Sequence, residues 1–457
     1  MIIKKKVKKK SKTSYFNKFL KIYFSFTLIL SFLFILFFLN TGYWKQVKEP
    51  FLERLYKSAV NQYVNIFLIG FNATKGIFYE IPEININISF NNLLKIESDR
   101  KKVREIMGLD AGGSYDFLEV PITLTQNNKT YKAKLRLKGD RRVHFDDRKN
   151  SSYKIDLKKD NTIFGVKKFS LMKPRIRNYI HEWLFHELNS EGDLITLKYD
   201  FINLKINGAK EGLYVLEEGF GKILLERNKK RNGPIFSLHE EYDANYSKDA
   251  KFEVYNKKFW LNEENIKLTE IASQKLRKYF NYEKNIDLND ILDLNKWAWY
   301  FAVADINSYF HGLAPKSVKF YYNPINGVFE PIGFDGHRSV KNYSKFYDWE
   351  NQLSRHGPSC LEIAKSCKEI PVLNKCDYFI YNFFYKKNGE LNTEFYEKYR
   401  NAILKISSKK FLDNFFNKRK KQINKINSKI YGDYFFVDHL FFYGPGLYFF
   451  EKQDFYK

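Results

Sequence analysis

Cysteine is nearly absent: three residues in 457, Cys360, Cys367 and Cys376, all inside one short segment. That excludes a disulfide-built scaffold, and with no histidine in the cluster and no familiar ligand spacing it also excludes a zinc module. One local disulfide with a thiol left over, stapling a loop-rich insertion, is the expectation. Acidic residues are in deficit, 52 against 78 basic ones, for a net charge of +26. The excess is mostly lysine spread along the chain, with no helix-turn-helix signal and no local basic-aromatic patch. Specific nucleic-acid binding is therefore excluded, while attraction to anionic lipids or acidic polymers stays open. No glycine-rich GxGxxG loop, long repeat or low-complexity linker is present. What the chain has in quantity is aromatic and apolar mass, 18% and 44% of its residues. Side chains of that kind cannot all stay solvated, so a folded body with a substantial core follows.

The longest apolar run is Ile22–Leu39, 18 residues without a charge, the length a helix needs to cross a bilayer. Nine lysines precede it, from Lys4 to Lys21, and Tyr43 and Trp44 follow where aromatic rings favour the membrane interface. The positive-inside bias predicts an uncleaved single-pass anchor with a cytoplasmic N-terminus and an extracytoplasmic body. The segments read as a basic tail (1–21), a transmembrane anchor (22–40) and a juxtamembrane stalk (41–80). A strand-rich part (81–217), a helix-rich part with the cysteines (218–407) and a basic helix with an aromatic tail (408–457) complete the chain.

Period-two alternation marks strands at Ile84–Phe90, Val120–Leu124, Tyr131–Leu137 and Tyr153–Leu157. In the third of these Lys132, Lys134, Arg136 and Lys138 share the face opposite the apolar one, and in the fourth Lys154 and Asp156 do. Such a face is either solvated or lines a cleft in which Arg136, Lys138 and Lys154 bind phosphate. Two hairpin patterns with Asn-Gly turns, Asn203–Lys222 and Phe320–Gly336, each end at a carboxylate: Glu217 and Glu218 in the first, Asp335 in the second. A helix from about Glu218 to Asn228 would place Glu218 in its first turn, where the helix dipole favours an anion. Helices are also expected at Asn178–Asn189, where His181 and His186 fall on different faces, and at Phe411–Tyr431. Another, Leu294–Tyr309, ends its buried stripe at Asp305, a carboxylate that needs a partner there.

RLKGD at Arg136–Asp140, YKIDLK at Tyr153–Lys158 and NTIFGVKKFSL at Asn161–Leu171 begin a series of ordered blocks. It continues with YIHEWLFHEL at Tyr179–Leu188, GLYVLEE at Gly212–Glu218, LLERNKKRNGPIF at Leu224–Phe236 and FYYNPINGVFEPIGFD at Phe320–Asp335. Together they resemble the CotH kinase family, the spore-coat-protein-H type of atypical kinases, in its membrane-anchored bacterial branch. The resemblance covers about Ile84 to Val340. It implies an α+β chain in which an N-terminal transmembrane helix precedes a two-lobed atypical protein-kinase-like body that binds ATP with Mg or Mn. That body would transfer the γ-phosphoryl group to Ser/Thr hydroxyls of a protein, or to an envelope glycan. Phosphoryl transfer is mostly positioning and charge neutralisation. By matching blocks, Lys154 is the phosphate-binding cation, with Arg136 and Lys138 as rivals, Glu218 the acid that orients it, and Asp335 the metal-binding residue. The family's catalytic Asp has no clean match: Asp305 lies upstream, His311 nearer the expected place, Ser317 where an Asn often stands, and Gly336-His337 follow Asp335. Two readings stay open, an active kinase and a catalytically silent kinase-like protein serving envelope or surface-polysaccharide assembly.

Overall fold

One apolar face per strand must leave water, and in the N-terminal half those faces close on one another. The computed structural model describes residues 74–107, 115–139, 144–145, 151–177, 179–238, 252–280, 286–307, 309–313, 317–337, 359–369 and 378–434, with Ser25 and Ile29. Its strands are β1 (Glu83–Asn87), β2 (Val120–Gln126), β3 (Lys129–Leu137), β4 (Tyr153–Leu157), β5 (Lys168–Met172), β6 (Ile195–Thr196), β7 (Tyr199–Ile206), β8 (Ala209–Glu218), β9 (Ile235–Leu238), β10 (Phe252–Val254), β11 (Lys319–Asn323) and β12 (Val328–Gly333). Its helices are α1 (Phe90–Met107), α2 (His181–Ser190), α3 (Lys222–Arg227), α4 (Lys257–Trp260), α5 (Ile266–Phe280), α6 (Leu294–Asn307), α7 (Cys360–Glu369), α8 (Tyr378–Phe384), α9 (Thr393–Ser407) and α10 (Lys409–Tyr434).

Seven strands form a closed barrel in the order β1-β2-β3-β4-β5-β8-β7. All its pairs are antiparallel except β1 with β7, the parallel seam that closes it. The interior is filled from alternate positions, among them Ile84, Ile86, Leu135, Leu137, Ile155, Leu171 and Leu216, all essentially inaccessible. Each such side chain contributes about 1.5–3 kcal/mol when fully buried. The outward faces of β5, β7 and β8 supply Met172, Tyr199, Phe201, Leu213 and Val215 to a second, larger core. Helix α2 enters that core with Trp183, Leu184 and Leu188, and α5, α6, α8 and α9 enclose it. A five-stranded sheet, β10-β9-β11-β12-β6, carries β12 beside α2 and parallel to the short β6.

Both expected hairpins form, β7–β8 and β11–β12. At the first turn Asn207 and Gly208 take φ of 50° and 80°, the left-handed pair that a two-residue hairpin loop of matching twist requires. The Asn207 side chain also bonds both backbone groups of Ile88, which ties this turn to β1.

Several expectations are corrected. No helix among the described residues is long and apolar enough to cross a membrane, which overturns the transmembrane fold class and the single-pass localisation drawn from it. The anchor segment at 22–40 lies outside the described residues except for Ser25 and Ile29. In place of two kinase-like lobes the described residues from 74 to 434 form one mixed α/β unit built round the seven-stranded barrel. Period-two patterns specify a buried face for each strand but not which strands close the ring, so the barrel could not be read from them. Strand β8 runs through Glu218 and α3 starts only at Lys222, so Glu218 ends a strand and does not open a helix. Cys360 is buried and makes no disulfide; the side chain of Cys367, all of Cys376, and the aromatic tail from 435 onward lie outside the described residues.

Candidate functional site

Strand register assembles the first half of the site. Arg136 pairs with Lys154, Lys154 with Ser170 and Ser170 with Glu217 across β3, β4, β5 and β8. Direct partners in adjacent strands share a face, so these four residues form one row on the outside of the barrel. Lys138 lies two positions beyond Arg136 on that face, and its backbone N–H continues the ladder to the Ser152 carbonyl. Its ammonium donates to Glu217 Oε2. Burial pushes the Glu217 carboxyl up, but Lys138 and then Arg177 outweigh it and hold the group below the ordinary range. Loss of hydration and the neighbouring cations Arg136, Lys138 and Lys168 push the Lys154 ammonium down to about 8. Because Lys154 keeps much of its surface exposed, solvent relieves part of the desolvation and the crowding of like charges is the firmer cause. A lysine under pressure from three cations marks a positive field suited to phosphate.

The second half is centred on Asp335, 4% exposed and in the left-handed region at φ 60°, where a non-glycine residue is uncommon. The Ser317 hydroxyl and His311 Nδ1 each lie 2.6 Å from Asp335 Oδ2. Arg177 pairs with Oδ1, and the Asp335 amide donates to Glu182 Oε1 at 2.8 Å. Arg177 also lies 3.1 Å from the second Glu182 oxygen and 2.9 Å from His337 Nε2. A guanidinium can only donate, so His337 presents a lone pair at Nε2, 3.3 Å from Asp335 Oδ1. The His311 and His337 rings stack with centroids 4.3 Å apart. Gly336, between Asp335 and His337, permits this: a Cβ there would lie 2.1 Å from the Phe185 ring.

The halves adjoin at α2. Glu182 is completely buried, and burial raises its carboxyl against the field of Arg177, with Glu217 adding to the rise. Next along the same helix, His186 is pushed down to about 3 by burial and so stays neutral.

The remaining expected residues are placed differently. Glu218 faces away from Glu217, receives Arg227 Nε at 3.0 Å and the Lys198 amide at 2.9 Å, and is raised by burial. Asp305 accepts from the Tyr399 hydroxyl and from the Cys360 amide at 3.1 Å, capping α7 and tying α6 to α9. Burial pushes its carboxyl up to about 6. His311, by contrast, is brought onto Asp335. Sequence reasoning missed Arg177, in the turn at Pro174–Arg177, and Glu182, in the first turn of α2; neither carries a periodic signal. A cleft of about 690 Å³ lined by Lys365, Tyr385 and Tyr396 contains none of these groups.

The cations Arg136, Lys138 and Lys154 fit a polyphosphate. Around Asp335, one carboxylate stands beside two imidazoles, within 4.8 Å of one another. That set does not fit Mg²⁺, which asks for near-octahedral oxygen ligands, and fits an ion that accepts imidazole.

A mixed α/β barrel protein with a cation row beside a buried, multiply held aspartate is the class these features define. The chain is 24% identical over 230 residues to inner spore coat protein H of Bacillus subtilis (strain 168), a similarity covering 47% of this chain and 61% of that protein. This is a distant likeness to a CotH-type protein, spanning less than two thirds of its length. No protein-family model matches the chain.

Proposed function

We propose that the chain is a CotH-type phosphotransferase that holds ATP on the barrel face and passes the γ-phosphoryl group to a hydroxyl, of a protein Ser/Thr or of a glycan. The observation that carries the reading is the Lys138–Glu217 ion pair, set in the Arg136–Lys154 row and adjoining Asp335 through Arg177 and Glu182. In this reading Arg136, Lys138 and Lys154 bind the phosphates and Glu217 fixes Lys138, the division of labour that phosphoryl transfer demands. Asp335 accepts from His311 Nδ1, which orients the ring and leaves Nε2 as its basic atom for the acceptor hydroxyl's proton. A bound divalent ion, when present, supplies further neutralisation of phosphate charge.

One observation favours the second reading, a silent kinase-like binding protein: Asp335 already has Arg177 on one oxygen and Ser317 with His311 on the other. The deciding experiment is transfer from radiolabelled ATP by the full chain with Mn²⁺ or Mg²⁺. The active reading expects labelling that Asp335→Ala abolishes and Lys154→Ala weakens. ATP binding without any labelling would leave the silent reading.

A further inference from the structure

We infer that His311, Asp335 and His337 form a transition-metal site, closed in the metal-free protein by the Arg177 guanidinium. One ring nitrogen each of His311 and His337 and a carboxylate oxygen of Asp335 lie within 4.8 Å of one another, with His311 Nδ1 against Oδ2 and His337 Nε2 against Oδ1. Asp335 Oδ1 and His337 Nε2 both present lone pairs at 3.3 Å, and lone pairs that close need a positive centre between them. Arg177 provides it, touching both atoms. Ligands at about 2.1 Å from a tetrahedral ion stand roughly 3.4 Å apart. The His337–Asp335 pair has that spacing already. The His311–Asp335 contact of 2.6 Å must open by less than about 1 Å, and the Nδ1 proton must leave that nitrogen, by shift to Nε2 or release to solvent, so that its lone pair can coordinate.

Charge balance points the same way. Arg177 is shared by two buried carboxyl groups, Asp335 and Glu182, so the pocket is built to hold a cation. An added dication is compensated where a neutral ligand would not be. As the ion enters, Arg177 withdraws to Glu182, its existing partner at 3.1 Å. Two imidazoles and one carboxylate select Zn²⁺, Co²⁺ or Cu²⁺ over Mg²⁺ by ligand type.

This inference shares Asp335 and His311 with the phosphotransferase reading and adds to it a metal-bound state in which His311 is a ligand and no longer takes the acceptor hydroxyl's proton, so this ion opposes transfer where the phosphate-neutralising one assists it. It is tested without nucleotide. The chelator-treated full chain is titrated with Co²⁺ and followed by visible absorption, with Zn²⁺ and excess Mg²⁺ as competitors. One Co²⁺ per chain is expected, displaced by Zn²⁺ and not by Mg²⁺. His311→Gln and His337→Gln should each weaken binding by more than about tenfold, the least that losing even an outer-shell partner costs. Because a variant can fail to fold, Cu²⁺ electron paramagnetic resonance on the unaltered chain supplies a second reading, with coupling to two imidazole nitrogens expected. Absence of uptake, displacement by Mg²⁺, or a spectrum without nitrogen coupling would overturn the site. Co²⁺ uptake without transfer from ATP supports the site and removes the phosphotransferase reading alone; transfer with no Co²⁺ uptake does the reverse.

Discussion

The two hairpins share a grammar and end in different chemistry. β7–β8 and β11–β12 each turn through a glycine and climb through an apolar strand to a carboxylate followed by glycine. In the barrel, Glu217 takes its position from strand parity alone and is answered by one principal cation, Lys138. In the second sheet, Asp335 lies two residues beyond the strand, in a left-handed conformation, and is held by an arginine, two histidines, a serine and a backbone bond to Glu182. A carboxylate placed by a strand needs little local support. One placed by a strained turn is over-determined by its neighbours, as residues held for function commonly are.

The largest expected effect breaks the better-held end. Asp335→Ala should abolish transfer and lower unfolding free energy by roughly 3–5 kcal/mol, because Ser317, His311 and Arg177 all lose the same buried acceptor. Asp335→Asn, which tolerates the left-handed region, should recover about 1 kcal/mol of that. A denaturant midpoint for Asp335→Ala equal to wild type would show that the node does not hold the turn.

The glycines that end the two hairpin segments, Gly219 after Glu217-Glu218 and Gly336 after Asp335, sharpen the contrast. A methyl on Gly336 would stand 2.1 Å from the buried Phe185 ring, whereas on Gly219 it would meet Lys168 at 3.1 Å. Gly336→Ala should therefore destabilise by about 1–3 kcal/mol, as overpacking does, with Gly219→Ala costing less. Phe185→Leu in the Gly336→Ala background should recover part of the loss, and thermal unfolding of the four proteins checks the order.

A smaller effect separates adjacent glutamates. Glu217→Gln removes the countercharge of Lys138 and should weaken ATP binding roughly tenfold, about 1.4 kcal/mol. Glu218→Gln should leave that affinity within about twofold and destabilise the β8–α3 junction, where Arg227 loses its partner. Equal losses of affinity in the two variants, measured by titration calorimetry, would remove the distinction between the faces of β8.

That distinction is also where legibility in the sequence ran out. Strands with one wet face, such as β3 with its alternating lysines, were readable to within two or three residues, as was helix α10, and the Asn-Gly turns fell where expected. The run Leu213–Glu218 is buried on both faces, one against the barrel interior and one against the second core. No alternation therefore says which of Glu217 and Glu218 shares a face with Lys138. Asp335 and His311 stood out as chemistry-bearing residues near a strand end, and the structure joins them. Arg177 and Glu182 were invisible because a charge buried among apolar residues follows no period; only the partner, more than 150 residues away along the chain for Asp335, gives it meaning.

The smallest effect belongs to Asp305, the carboxylate that joins neither hairpin. Its pKa is raised from 3.8 to about 6, by burial above all. Below about pH 4 the group is protonated whether the chain is folded or not, and it costs nothing. Between pH 4 and 6 the folded state binds more proton than the unfolded one, so stability falls as pH rises, and above 6 the whole penalty is present. Asp305→Asn keeps an acceptor for Tyr399 and the Cys360 amide without the charge. It should stabilise the protein at pH 7 by about 1 kcal/mol, part of the full linkage value because the residue is not wholly buried, and this advantage should vanish by pH 4. His186, pushed down to about 3, has the opposite slope: its contribution is present above pH 6.5 and is lost as pH falls, so His186→Gln should narrow the acid-side loss. Denaturation of both variants from pH 4 to 7 checks the two signs together, and an Asp305→Asn advantage that grew toward acid would mean that the cap at α7 is made by an ionised carboxylate the fold favours.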